Sequence, residues 1–169
     1  MLCYSSVSAL LHRLPRQTQL SPEEWQRYAF WDASKPYTRN LISTDHETFT
    51  VLLLCWNPQQ ESPIHDHPCD GCWLQVLRGK IQECRYHSQD LHCLSDETFE
   101  EGQIAYITDN MGYHKIGNPT HATPAATLHL YAPPIQECRT WRLEETSQQI
   151  ICQDAVSTHY SEYGFRIKT

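Results

Sequence analysis

Two histidines one residue apart, His65 and His67, sit in the run Ser62-Pro63-Ile64-His65-Asp66-His67, and a third follows in Gly112-Tyr113-His114. On an extended backbone side chains alternate faces, so residues i and i+2 point the same way. One imidazole from a neighbouring strand then completes a facial set of three nitrogen donors. Such a set holds one divalent ion and leaves positions open for substrate and oxygen. The chemistry on offer is metal-dependent catalysis. Spacing by itself leaves iron and zinc both open, since Zn(II) also accepts three imidazoles and a water.

A second row stands at Thr127, His129 and Tyr131, interleaved with Ala126, Leu128 and Leu130. Period two puts a hydroxyl, an imidazole and a phenol on one face and the apolar residues on the other. Arg39 offers a guanidinium that can take a carboxylate through two parallel hydrogen bonds. Cys72 lies in a Cys69-x-x-Cys72 spacing, which elsewhere marks a redox dithiol, but no βαβ pattern surrounds it. The remaining histidines, His87 and His92 among them, read as surface or structural residues.

These side chains need an extended framework. Short runs rich in Val, Ile, Leu, Thr and aromatics predict strands near 37–43, 48–56, 63–67, 72–78, 81–87, 97–100, 103–108, 112–117, 125–132 and 138–143. Arg78-Gly79-Lys80 reads as a hairpin turn, and Pro133-Pro134 as a strand stop. Ser21-Pro22-Glu23-Glu24 reads as a helix start. That helix is expected to carry Trp25, Tyr28 and Ala29 inward and to end before Pro36, with another short helix within 4–14. The whole is expected to be one mainly β domain. A helical segment (about 1–35) precedes a jelly-roll barrel (about 37–145), and a C-terminal segment (about 146–169) wraps the barrel mouth.

With 169 residues the chain is long enough for one substantial core. A net charge of −7 argues against nucleic acid or an anionic membrane as partner. No apolar run approaches the roughly 20 residues of a membrane helix. Residues 1–14 lack the ordered regions of a secretory signal. Eight cysteines, with Cys55 and Cys84 inside expected strands, read as reduced thiols and a cytoplasmic location. A monomer is expected, since nothing reads as a heptad or a large apolar edge.

The spacing His65-x-His67-x4-Cys72-x6-Gly79 resembles the first motif of the cupin superfamily, with Cys72 where the pattern has a glutamate. Gly102-x11-His114-x3-Asn118 resembles the second. The chain further resembles the animal-type cysteine dioxygenases. The matching segments are Tyr37-Thr38-Arg39-Asn40-Leu41, Leu54-Cys55-Trp56, the His65–His67 run, Leu77-x-Gly79-x-Ile81-x-Glu83, Gly112-Tyr113-His114 and Leu128-His129-Leu130-Tyr131-Ala132-Pro133-Pro134.

The resemblance implies a cupin barrel, Fe(II) held by His65, His67 and His114, and oxidation of L-cysteine by O2 to cysteine sulfinic acid. It implies that Thr127, a serine in relatives, orients His129, and that His129 hydrogen-bonds Tyr131 beside the substrate. Arg39, with Tyr37, would hold the substrate carboxylate, and Cys72 and Tyr131 would form a thioether cross-link. Replacing the glutamate ligand leaves three neutral imidazoles on a dication, which attracts a thiolate more strongly. Similar dioxygenases for 3-mercaptopropionate lack the arginine and generally the cysteine, so L-cysteine is favoured over that thiol or cysteamine. A non-enzymatic metal-binding cupin is the further alternative. Gly71, where relatives carry a polar residue, and the glycine-poor stretch 57–62 depart from the pattern.

Overall fold

A computed structural model describes residues 20–135, 137–143 and 150–156. Its eleven described strands form two antiparallel sheets. The strands are β1 (Tyr37–Thr44), β2 (Thr50–Trp56), β3 (Ile64–His65), β4 (Gly71–Arg78), β5 (Lys80–Tyr86), β6 (Cys93–Glu100), β7 (Ile104–Ile107), β8 (Tyr113–Gly117), β9 (Ala125–Ala132), β10 (Glu137–Leu143) and β11 (Ile150–Val156). One sheet runs β1-β2-β9-β4-β7, the other β11-β10-β3-β8-β5-β6. No helix among the described residues is long and apolar enough to cross a membrane.

Period-two alternation divides each central strand between two environments. Leu52, Leu54, Trp56, Leu74 and Val76 of the first sheet meet Ile81 and Ile116 of the second in one buried cluster between the sheets. Leu53, Cys55, Leu77 and Ala126 point the other way, into a second cluster closed by Trp25 and Tyr28. These two come from a short helix, α1 (Pro22–Trp25), and the 3-10 turn Gln26–Tyr28 that continues it. Glu24 accepts the N–H of Ser21 at 2.7 Å, as the capping pattern predicts.

Several expectations need correction. The helix does end before Pro36, as expected, but it is short and stops at Tyr28. Ala29 is already extended, and Asp32 takes the N–H and hydroxyl of Ser34, the local bonding that competes with helix. Arg78-Gly79-Lys80 does not close a hairpin, because β4 pairs with β7 and β9 while β5 pairs with β6 and β8. Gly79, at φ 77°, instead turns the chain from one sheet to the other. The strand expected at 63–67 shrinks to Ile64–His65, β6 begins earlier than expected, and β11 was not foreseen. The helix expected within 4–14 and most of the expected C-terminal wrap lie outside the described residues.

Candidate metal centre and active site

Strand register brings the three histidines together. β3 lies between β10 and β8, with His65 directly opposite both Thr140 and His114. Gly112 makes the entry to β8 possible: it sits at φ 102°, and a β-carbon there would collide with the Tyr86 carbonyl. Beyond His65 one backbone bond continues the ladder, from the Asp66 N–H to the Arg139 carbonyl at 3.2 Å, and side chains add to it. Asp66, fully buried, accepts the Arg139 backbone N–H at 2.7 Å and its Nε at 2.8 Å. Asp109 accepts the His67 backbone N–H at 2.6 Å. This is why so short a strand still presents both histidines. The three rings stand 4.5–4.8 Å apart between centroids, and one donor atom from each lies within 4.8 Å of the others.

Their outer contacts assign protons. His65 Nδ1 lies 2.9 Å from the Pro63 carbonyl, which can only accept, so that nitrogen carries the hydrogen and Nε2 keeps its lone pair. His114 Nδ1 lies 2.7 Å from Oε1 of the buried Glu83, whose Oε2 is held by Arg85 Nε at 2.8 Å. His114 Nε2 and His67 Nδ1 are buried and have no hydrogen-bond partner among the described residues. Burial, then the neighbouring imidazoles, hold His67 and His114 well below the ordinary imidazole range, so both are neutral. A buried nitrogen whose lone pair nothing accepts is costly, and at His114 Nε2, whose ring carries its proton on Nδ1, a divalent cation would accept it. The donor set therefore fits a metal ion.

The second row runs down β9. The Trp56 indole donates to Thr127 Oγ1 at 2.9 Å, Thr127 Oγ1 lies 2.8 Å from His129 Nε2, and the Tyr131 hydroxyl lies 3.3 Å from His129 Nδ1. Burial lowers the His129 pKa to about 3, so its ring is neutral. Cys72 stands directly opposite Tyr131 in the β4–β9 register, and its Sγ lies 3.9 Å from the same His129 Nδ1. Burial pushes the Cys72 thiol and the Tyr131 phenol up, so both keep their protons. Gly71 is also explained: Trp73 and Tyr106, with rings 5.0 Å apart, occupy the space a side chain there would need.

A cavity of about 360 Å³ joins these groups. His65, His67 and His114 line it together with Arg39, Tyr37, His129 and Tyr131. The Arg39 guanidinium carbon stands 5.7 Å from the centre of the Tyr131 ring, and Tyr37 stacks on Trp56 at 4.5 Å. Every candidate site residue other than Cys72 and Thr127 faces this cavity; those two touch His129 from behind it. Sequence reasoning gave no role to Trp56, Glu83, Asp66 or Asp109. Glu83 was visible as part of a matching segment, but nothing local in the sequence pairs it with His114.

The family model for cysteine dioxygenase type I matches residues 7–144. Cysteine dioxygenase type 1 of Danio rerio is 33% identical over 162 residues, 92% of this chain and 78% of the relative. The Homo sapiens protein of the same name is 34% identical over 150 residues, 86% of this chain and 72% of the relative. Among solved structures, a protein with a double-stranded β-helix domain from Klebsiella pneumoniae superposes with a TM-score of 0.53 at 19% identity, over 72% of this chain and 89% of that one. A Thermus thermophilus protein gives 0.54 at 19% identity, over 69% and 98% respectively. These structures share the fold, a mainly β double-stranded β-helix. The sequence matches go further: the chain belongs to the cysteine dioxygenase type I family, a family of oxygenases.

Proposed function

We propose that this chain oxidises L-cysteine with O2 to cysteine sulfinic acid, using one ferrous ion held by His65, His67 and His114. The observation that carries the reading is the meeting, in one cavity, of three neutral imidazoles with a guanidinium and a phenol. Bound iron would supply a Lewis-acidic, redox-active centre for thiol and dioxygen.

The chain's own residues do the rest. Arg39 takes the substrate carboxylate through two charge-assisted hydrogen bonds, with Tyr37 beside it. Glu83 holds the proton of His114 on Nδ1, which fixes the ring and strengthens it as a donor. Trp56 sets the direction of the row on β9. An indole N–H can only donate, so Thr127 Oγ1 accepts from it, and among the described residues His129 Nε2 is then the one partner left to take the buried hydroxyl's own proton. The one proton of neutral His129 then sits on Nδ1 and is offered to the Tyr131 oxygen. Tyr131 therefore keeps its own O–H for the cavity, where it can hydrogen-bond to the reacting groups.

The facing positions of Cys72 and Tyr131 support a thioether between them. Directly opposed residues of antiparallel strands hold their Cβ atoms roughly 5 Å apart, within reach of a cysteine and a tyrosine ring. The thiol and the ring would each lose one hydrogen, with dioxygen as the oxidant. Intact mass after aerobic turnover should fall by two hydrogens, and Cys72→Ser should abolish the change.

Oxygen uptake by the iron-loaded chain tests the reading. L-Cysteine should be consumed much faster than cysteamine, which has no carboxylate for Arg39, and faster than 3-mercaptopropionate. Equal rates for all three thiols would refute the assignment of Arg39, and no uptake with any of them would refute the function.

A further inference from the structure

Away from the cavity, the loop joining β5 to β6 carries a second cluster of ligating side chains. The rings of His87 and His92 stack across it, with centroids 4.9 Å and planes 22° apart. Both address one oxygen: Asp90 Oδ1 lies 3.1 Å from His87 Nδ1 and 2.7 Å from His92 Nδ1. The backbone closes this loop by itself, through His87 N–H to the His92 carbonyl and Leu91 N–H to the His87 carbonyl, both at 3.0 Å. The side-chain convergence is therefore an addition to the turn.

We propose that His87, Asp90 and His92 form a surface site for a borderline divalent cation such as zinc, separate from the three-histidine centre. Around one zinc, bonds of ~2.0 Å at tetrahedral angles place donor atoms roughly 3.3 Å apart, so the present spacing needs only a small expansion. Two imidazoles and a carboxylate suit zinc, copper(II) or nickel; calcium and magnesium want oxygen donors throughout. Asp90 is already a carboxylate, because its contacts with the His92 side chain and N–H lower its pKa. Each neutral imidazole can pass its proton from Nδ1 to Nε2 as the ion arrives, with no change of charge. The side chains are 40% (His87), 57% (His92) and 61% (Asp90) exposed, so water can complete the coordination shell. Cys93, next in the chain, sends its Sγ to the Ser95 carbonyl at 3.5 Å instead.

The test is a calorimetric zinc titration of the iron-loaded full chain without oxygen, with released iron measured in parallel. The wild-type chain should take up one zinc without losing iron. His92→Ala and Asp90→Asn should each weaken that uptake more than ~10-fold, as expected for loss of a direct ligand. Their oxygen uptake with L-cysteine, measured without zinc, should be unchanged. His114→Ala should keep the surface zinc, which separates this site from the proposed catalytic centre. Equal uptake by wild type and His92→Ala, or zinc uptake matched by iron release, would overturn the proposal.

Discussion

Two clusters of three ligating side chains, built from nearly the same residue types, sit in very different surroundings. His67 and His114 are 1% exposed, and the outer nitrogens of His65 and His114 are committed to a carbonyl and a carboxylate. His87, Asp90 and His92 stand in water, and among the described residues their side chains have only each other as partners. In the inner cluster the carboxylate, Glu83, is set behind the ligand ring; in the outer one Asp90 is itself a donor. Burial keeps the inner rings neutral and leaves a dication's charge available to a substrate thiolate, while Arg39 waits in the same cavity. Ligand type therefore does not distinguish the proposed reaction centre from the proposed surface binding site. What distinguishes it here is what stands behind the ligands and what shares the cavity with them.

The largest break in this contrast should come from His114→Ala. It removes one of the three proposed ligands, so iron affinity should fall beyond the ~10–100-fold that loss of an outer partner costs. Oxygen uptake should vanish with it, as metal analysis and an oxygen electrode would show. Arg39→Ala is next: losing hydrogen bonds between charged groups costs ~1.5–3 kcal/mol, or roughly 10- to 150-fold in kcat/KM for L-cysteine. Turnover of cysteamine should hardly change. Glu83→Gln keeps the shape but drops the charge, and equilibrium dialysis should show iron affinity weakened by ~10-fold, with the surface site untouched.

Acid should separate the two regions as well. Burial holds His129 at about 3 against an ordinary 6.5, so the folded chain resists a proton that the unfolded chain accepts. Its contribution to stability is complete above 6.5 and lost progressively as pH falls towards 3. Denaturant unfolding of the metal-free chain across that window should show the decline, and His129→Phe should make it shallower, with His67 and His114 carrying the remainder. The subtlest effect is that of Trp56→Phe. Without the indole donor, Thr127 can turn its hydroxyl either way, so nitrogen-15 NMR of the zinc-loaded chain should show His129 as a mixture of tautomers. Wild type and Thr127→Ser should show a single Nδ1–H form.

Much of this architecture was legible because it is local and periodic. The His65/His67 pair and the Thr127/His129/Tyr131 row are consequences of a two-residue repeat, and register then did the assembling. What could not be read is non-local. The Trp56–Thr127 bond joins residues 71 apart, and Glu83 reaches His114 across 31. Arg78-Gly79-Lys80 looked like a hairpin because a glycine at positive φ serves a hairpin and a change of sheet equally well. The brevity of β3 was hidden for a related reason: Asp66 and Asp109 hold the segment past His65 with side-chain hydrogen bonds, which no alternation pattern records.

The central claim, that three imidazoles and Arg39 together direct dioxygen onto a cysteine sulfur, is tested most directly with isotopically heavy dioxygen. The iron-loaded chain should yield cysteine sulfinic acid carrying both heavy oxygen atoms, one dioxygen consumed per L-cysteine. Cystine as the product, or a sulfinate whose oxygen comes from water, would contradict the account.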